Sequence, residues 1–224
     1  MRGLLIYDFD GVIAESEVLA NTVLAEVVTE LGVPISVEDS YELFMGRRLS
    51  DVIAAVETLV GNPLPKAFPV EFQARTLARF RAELRAVDGA RDHIRAFAHL
   101  LRCIASSSSP DRLAVCLDVL GLQTEFGANV FSASEVERGK PYPDIFLHAA
   151  RRMGADPADC IVIEDSPSGV AAAVAAGMCV IGLLAGSHIR PGHGERLQAA
   201  GAHRLAATFE EAEAITRHLL ARMT

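Results

Sequence analysis

Tryptophan is absent from this chain, lysine occurs only at Lys66 and Lys140, and no block of like charges or low-complexity tract interrupts its 224 residues. Arginine supplies the remaining positive charge, yet the formal net charge is -8 and the sequence pI is near 5.4. A protein that grips nucleic acid or an anionic membrane needs a basic face, which this balance excludes as a broad feature. A small anionic substrate needs only local positive charge, so each of the two lysines carries weight. Cysteine is sparse too: Cys103, Cys116, Cys160 and Cys179 lie far apart in apolar stretches. That spacing fits neither a zinc site nor a short disulfide framework, and predicts buried, reduced thiols. The N-terminal apolar run, Leu4 to Tyr7, is too short for a signal peptide, and a cytoplasmic protein is expected. Charge is missing from Ser168 to Ser187, but the stretch is Ala-rich and broken by Gly177 and Gly182. It parses as a buried helix, a turn and a strand rather than a membrane span.

What is present is ordinary globular composition, 50% hydrophobic and 22% charged, in a length that suits one large domain or a domain with an insertion. The most informative stretch is Asp8-Phe9-Asp10-Gly11-Val12, which follows the apolar run directly. Residues two apart on a strand point to one side, so two carboxylates there would crowd one spot. At about 4 Å two like charges cost roughly 4 kcal/mol at an effective dielectric of ~20, about three pK units. A bound cation or a retained proton relieves that cost. The plainer reading makes both acids solvated turn formers ahead of a glycine.

The order of elements favours the first reading. A long helical pattern runs from Val18 to Val28 and stops at Gly32-Val33-Pro34, and further helices are predicted at about 38 to 45, 50 to 60 and 70 to 86. Beyond Asp88-Gly89 helices alternate with short apolar strands at Arg102 to Ala105, Asn129 to Ser132, Cys160 to Ile163 and Cys179 to Leu184. Such alternation predicts an α/β fold, a doubly wound parallel sheet, with residues 15–85 inserted as an all-helical cap and residues 1–14 and 86–224 forming the Rossmann-like core. No internal repeat is visible.

Open parallel sheets bind ligands beyond the carboxyl ends of their strands. The residues at those ends are polar: Asp8 and Asp10, then Ser106 to Ser109, then Glu164, Asp165 and Ser166, with Lys140 in a loop just before a helix. These are the parts for metal-assisted phosphoryl transfer to a carboxylate. A carboxylate attacks phosphorus and splits one hard displacement into two easier ones. A divalent cation shields the two anions from each other, and Mg²⁺ suits a site of few carboxylates. A lysine and a hydroxyl hold the transferring oxygens.

With these four regions in order, the chain resembles the haloacid dehalogenase superfamily, in its β-phosphoglucomutase-like and sugar-phosphate phosphatase subgroup. The resemblance implies that Asp8 is the nucleophile and Asp10 the general acid and later the base. It implies that Ser106 and Lys140 bind the phosphoryl group. Ser107, Arg47 and Arg48 are further candidate substrate contacts read from the sequence itself. A Mg²⁺ ion would be held by Asp8, Asp10 through its backbone carbonyl, Asp165 and Glu164; a Glu164 side chain directed away along the strand is the alternative to its direct role. Taken singly, Ser106 reads as a linker serine, Lys140 as a surface lysine, and Arg47 or Arg48 as a plain surface charge. Ser109 before Pro110 and Ser166 before Pro167 read as helix caps. None of the seven histidines is assigned a role, and His188 and His193 are expected to be solvent exposed in their loop.

An acid at the Asp10 position favours a phosphate ester over dehalogenase or phosphonatase substrates in that family. Sugar phosphomutases of the family carry a histidine where Ala20 stands and an arginine where Leu49 aligns. The expectation is therefore a Mg²⁺-dependent phosphatase of a small phosphorylated metabolite. A β-phosphoglucomutase-like enzyme and a non-catalytic phosphometabolite-binding module are the alternatives. No nucleic acid, membrane or protein partner is predicted.

Overall fold

The computed structural model describes residues 3–44 and 49–222. The chain divides into two compact units, residues 1–15 with 85–224 and residues 16–84.

The larger unit is built on six parallel strands in the order β3-β2-β1-β4-β5-β6. The strands are β1 (Leu4–Tyr7), β2 (Leu101–Ser106), β3 (Val130–Ser132), β4 (Cys160–Glu164), β5 (Cys179–Leu183) and β6 (Arg204–Ala206). The first five follow the expected strands to within a residue or two at each end. The sixth has no counterpart in the sequence reading, because three residues that include an arginine make no apolar run.

The central strand β1 shows why the sheet is buried on both faces. Ile6 lies level with Cys103 on one side and Val162 on the other. Those three, with Leu4, Ala105 and Val180, pack against Ile145, Phe146, Ala149, Val170 and Ala173. Tyr7 points the other way, as alternation demands, and meets the rings of His93 and Phe126. Continuous hydrophobic strands of this kind belong to parallel sheets covered by helices on both sides.

The smaller unit is all helical: α1 (Ser16–Glu30), α2 (Val37–Phe44), α3 (Leu49–Val60) and α4 (Phe68–Glu83). Leu24 and Val28 of α1 pack with Phe44, Val52 and Val56, while Val23 and Val27 pack with Phe68. Arg75 and Arg79 of α4 pair with Glu30 and Glu26 of α1. The helix expected to run to residue 86 ends at Glu83, because Leu84 turns to extended backbone.

The remaining helices belong to the larger unit: α5 (Ala90–Ala96), α6 (Pro110–Leu120), α7 (Gln123–Phe126), α8 (Asp144–Met153), α9 (Pro167–Ala175), α10 (His193–Ala199) and α11 (Phe209–Arg222). Both expected serine caps form: Ser109 Oγ accepts from the Arg112 amide and Ser166 Oγ from the Gly169 amide. Among the described residues no helix is long and apolar enough to cross a membrane. All four cysteines are free thiols. Burial pushes the Cys116 and Cys160 thiols up to about 12, which makes them packing groups rather than nucleophiles.

Candidate active site

The strand order reverses at β1, whose neighbours β2 and β4 lead to opposite halves of the sheet. That switch point is where an open α/β sheet leaves a crevice at its carboxyl edge. Asp8 is the first residue past β1, its amide still bonded to the Ile163 carbonyl at 2.9 Å. Glu164 ends β4 and Asp165 follows it.

Lys140 joins these acids. Its Nζ donates to Asp8 Oδ1 at 2.6 Å, to Glu164 Oε1 at 2.7 Å and to the Ala105 carbonyl at 3.2 Å. The ammonium also lies 5.0 Å from the centre of the Phe146 ring. Burial works against charge on Lys140, but Asp8 and Glu164 outweigh it and hold the group above the ordinary lysine value. Burial raises the Asp8 carboxyl well above the usual carboxylate range; Lys140 opposes that rise, while Glu164, Asp165 and Asp10 add to it. The loop that carries Lys140 is braced by Arg138, which pairs with Asp144 at 3.0 Å and covers the Tyr142 ring.

Both oxygens of Glu164 are occupied. Oε1 takes the lysine, and Oε2 accepts from the Ser166 amide at 2.7 Å and the Ser166 hydroxyl at 3.0 Å. The carboxylate points into the site, not away along the strand, and lies under the start of α9. It fits only because position 169 is glycine: a Cβ there would stand 1.5 Å from Glu164 Oε1.

Asp10 does not share Asp8's partner. Its Oδ1 pairs with Arg112 Nη2 at 2.5 Å and its Oδ2 accepts from Ser108 Oγ at 2.5 Å. Ser106 is buried; its Oγ stands 3.5 Å from Asp10 Oδ2 and accepts from the Ser108 amide at 3.0 Å. Ser107 is exposed. Arg47 and Arg48 lie outside the described residues.

Two histidines correct the sequence reading. His188 and His193 are buried, not exposed. His188 Nε2 lies 2.8 Å from Asp165 Oδ2, and His193 Nε2 lies 2.6 Å from the Asp165 carbonyl oxygen. The loop between them is rich in turn formers, which suggested solvent, whereas a partner distant in sequence decides their burial. Arg112 was also missed, and Ser108 stood among the edge serines without a role. Arg112 had a signal, since a cation in the first turn of a helix sits against the helix dipole and invites a search for an acidic partner.

Asp8, Glu164 and Asp165 each offer an oxygen within 4.8 Å of the others. Three carboxylates face one ammonium there, and an all-oxygen set with that excess negative charge fits a hard divalent cation such as Mg²⁺.

A family description, haloacid dehalogenase-like hydrolase, matches residues 3–177. The chain belongs to that family of hydrolases. A 6-phosphogluconate phosphatase of Escherichia coli K12 is 28% identical over 84% of this chain and 85% of its own length. The crystal structure of a haloacid dehalogenase-like protein of unknown function from Agrobacterium tumefaciens superposes with TM-score 0.86 at 35% identity, covering 98% of this chain and 99% of the other. A family hydrolase from Deinococcus radiodurans, solved with bound phosphate and sodium, gives TM-score 0.82 at 32% identity, covering 98% and 97%.

Proposed function

We propose that this hydrolase is a Mg²⁺-dependent phosphatase that releases inorganic phosphate from a small phosphorylated metabolite, a sugar or sugar-acid phosphate, through an aspartyl-phosphate on Asp8. One observation carries the reading: the Asp8 carboxylate meets the Lys140 ammonium at 2.6 Å within the same cluster of acids as Asp165. A nucleophile, a fixed cation and a site for a divalent ion are thereby in reach of one phosphoryl group. The phosphate bound to the D. radiodurans hydrolase and the sugar-acid substrate named for the E. coli relative support the substrate class.

Asp8 supplies the oxygen that bonds to phosphorus as the ester oxygen leaves with its electron pair. Asp10 gives that oxygen a proton, then takes one from the water that attacks phosphorus and restores the Asp8 carboxylate. Lys140 and Ser106 hold the transferring oxygens, and Glu164 anchors Lys140. Asp8, Asp165 and the Asp10 carbonyl would hold the Mg²⁺, with Glu164 adjoining; when bound, it neutralises the meeting anions and aligns the phosphoryl group. Ser107, Arg47 and Arg48 are further candidates to touch the substrate. The helical unit, residues 16–84, is assigned as a cap that selects the leaving group. Free thiols at all four cysteines suit a reducing compartment, the cytoplasm.

The test is phosphate release from a panel of sugar and sugar-acid phosphates, with Mg²⁺ and with a chelator. Metal-dependent release that Asp8→Asn abolishes is expected. Binding without turnover on any member would favour a phosphometabolite-binding module. Isomerisation of glucose phosphates faster than hydrolysis would favour the mutase.

A further inference from the structure

The phosphoryl-transfer roles leave His188 and His193 unused, although both rings are buried against Asp165. His188 approaches the side chain, at 2.8 Å from Oδ2, and His193 approaches the main chain, at 2.6 Å from the carbonyl oxygen. A carboxylate and a carbonyl only accept, so each Nε2 carries the proton and donates it. The tautomer of His193 is set twice, because Arg196 Nη2 donates to its Nδ1 at 2.9 Å. Asp165 is thus held by one N–H on its carboxylate and another on its backbone, both from the segment that follows β5.

That grip sits where the sheet no longer helps. The register of β4 with β5 ends at Glu164 and Gly182, one residue short of Asp165. Two glycines clear the space. A Cβ at Gly11 would stand 2.1 Å from Asp165 Oδ2 and 2.7 Å from His188 Cε1, and one at Gly186 would stand 2.6 Å from His188 Cε1. Partners that hold a ligand in one orientation commonly decide a metal site's affinity.

We propose that His188 and His193 are positioning residues that lock Asp165, His188 taking Oδ2 so that the other carboxylate oxygen is turned to the divalent cation. The inference rests on the reading that Asp165 holds that ion.

Calorimetric titration of Mg²⁺ into the full-length protein without substrate tests it, on wild type, Asp165→Asn, His188→Phe, His188→Gln and His193→Phe. Mg²⁺ affinity should fall about 10- to 100-fold in His188→Phe, and recover at least in part in His188→Gln, which keeps an N–H donor. His193→Phe should weaken binding in the same direction. The Mg²⁺ concentration for half-maximal phosphatase activity should rise by the same factor, which a loss of packing alone would not produce. If His188→Phe does not fold, His188→Asn, whose donor is too short to reach, is judged by the same criteria. Wild-type affinity in the folded His188 variants, with binding lost in Asp165→Asn, overturns the inference alone. No Mg²⁺ binding by wild type overturns the metal reading and this inference with it.

Discussion

The Arg112 guanidinium lies 2.5 Å from Asp10 Oδ1, at the third position of a helix whose dipole opposes a cation there. The pair therefore offsets a local penalty and fixes the carboxylate that is assigned the proton transfers. Arg112→Met should lower kcat/KM on sugar phosphates by about tenfold, since Asp10 would then rely on Ser108 and Ser106 for its orientation. Its urea stability should fall by about 1 to 3 kcal/mol, because both side chains are mostly buried and Asp10 loses its charged partner. Steady-state kinetics and urea melts on one preparation check both numbers.

Asp10→Asn removes the proton donor and leaves the nucleophile in place. In single-turnover transfer to Asp8, before water attacks, its cost should depend on the leaving group: about 10²- to 10⁴-fold for an alkyl phosphate, which needs a proton, and far less for p-nitrophenyl phosphate. Equal losses on the two substrates would count against the assigned role.

Gly169→Ala should destabilise the protein by about 3 kcal/mol or more, because the new Cβ meets the buried Glu164 carboxylate. At an exposed helix position the same change would stabilise by about 1 kcal/mol, so the sign of the shift in a denaturant melt decides. Activity should fall as well, since Glu164 holds Lys140.

His93 gives stability a pH dependence. Its ring is buried among Tyr7, Phe97 and Phe209, and its Nδ1 lies 3.0 Å from the Tyr7 hydroxyl. Burial pushes it down to about 4. Between pH 6.5 and 4 the unfolded chain therefore binds a proton that the folded chain refuses, and stability falls as pH falls. The loss across that window should be about 3 kcal/mol. Denaturant melts at pH 7 and pH 4.5 should show most of it, and His93→Phe should flatten the slope.

The parts of the site that were legible in the sequence are those attached to a strand. Asp8, Ser106, Glu164 and Asp165 each follow or close an apolar run, so a parallel sheet gathers them at one edge. Ser109 and Ser166 were legible as caps because a proline follows each. Ser108 stood among the edge serines but without a role, Arg112 offered only its place against a helix dipole, and His188 and His193 were not legible, since their partners are set by tertiary contacts across long stretches of chain. The Gly-Pro-rich surroundings of His188 and His193 describe a loop correctly but say nothing of what the loop packs against. Lys140 was placed by its rarity and by family resemblance, and spacing alone would have left it on the surface.

Every assigned role serves a phosphoryl group carried covalently by Asp8. Acid quench of the Asp10→Asn variant during turnover of p-nitrophenyl phosphate, whose leaving group needs no proton, followed by peptide mass spectrometry, detects that intermediate. The expected result is one phosphoryl increment on the peptide containing Asp8, labile to hydroxylamine and absent from the Asp8→Asn variant. Turnover with no phosphorylated peptide, or with the increment on another residue, would contradict it.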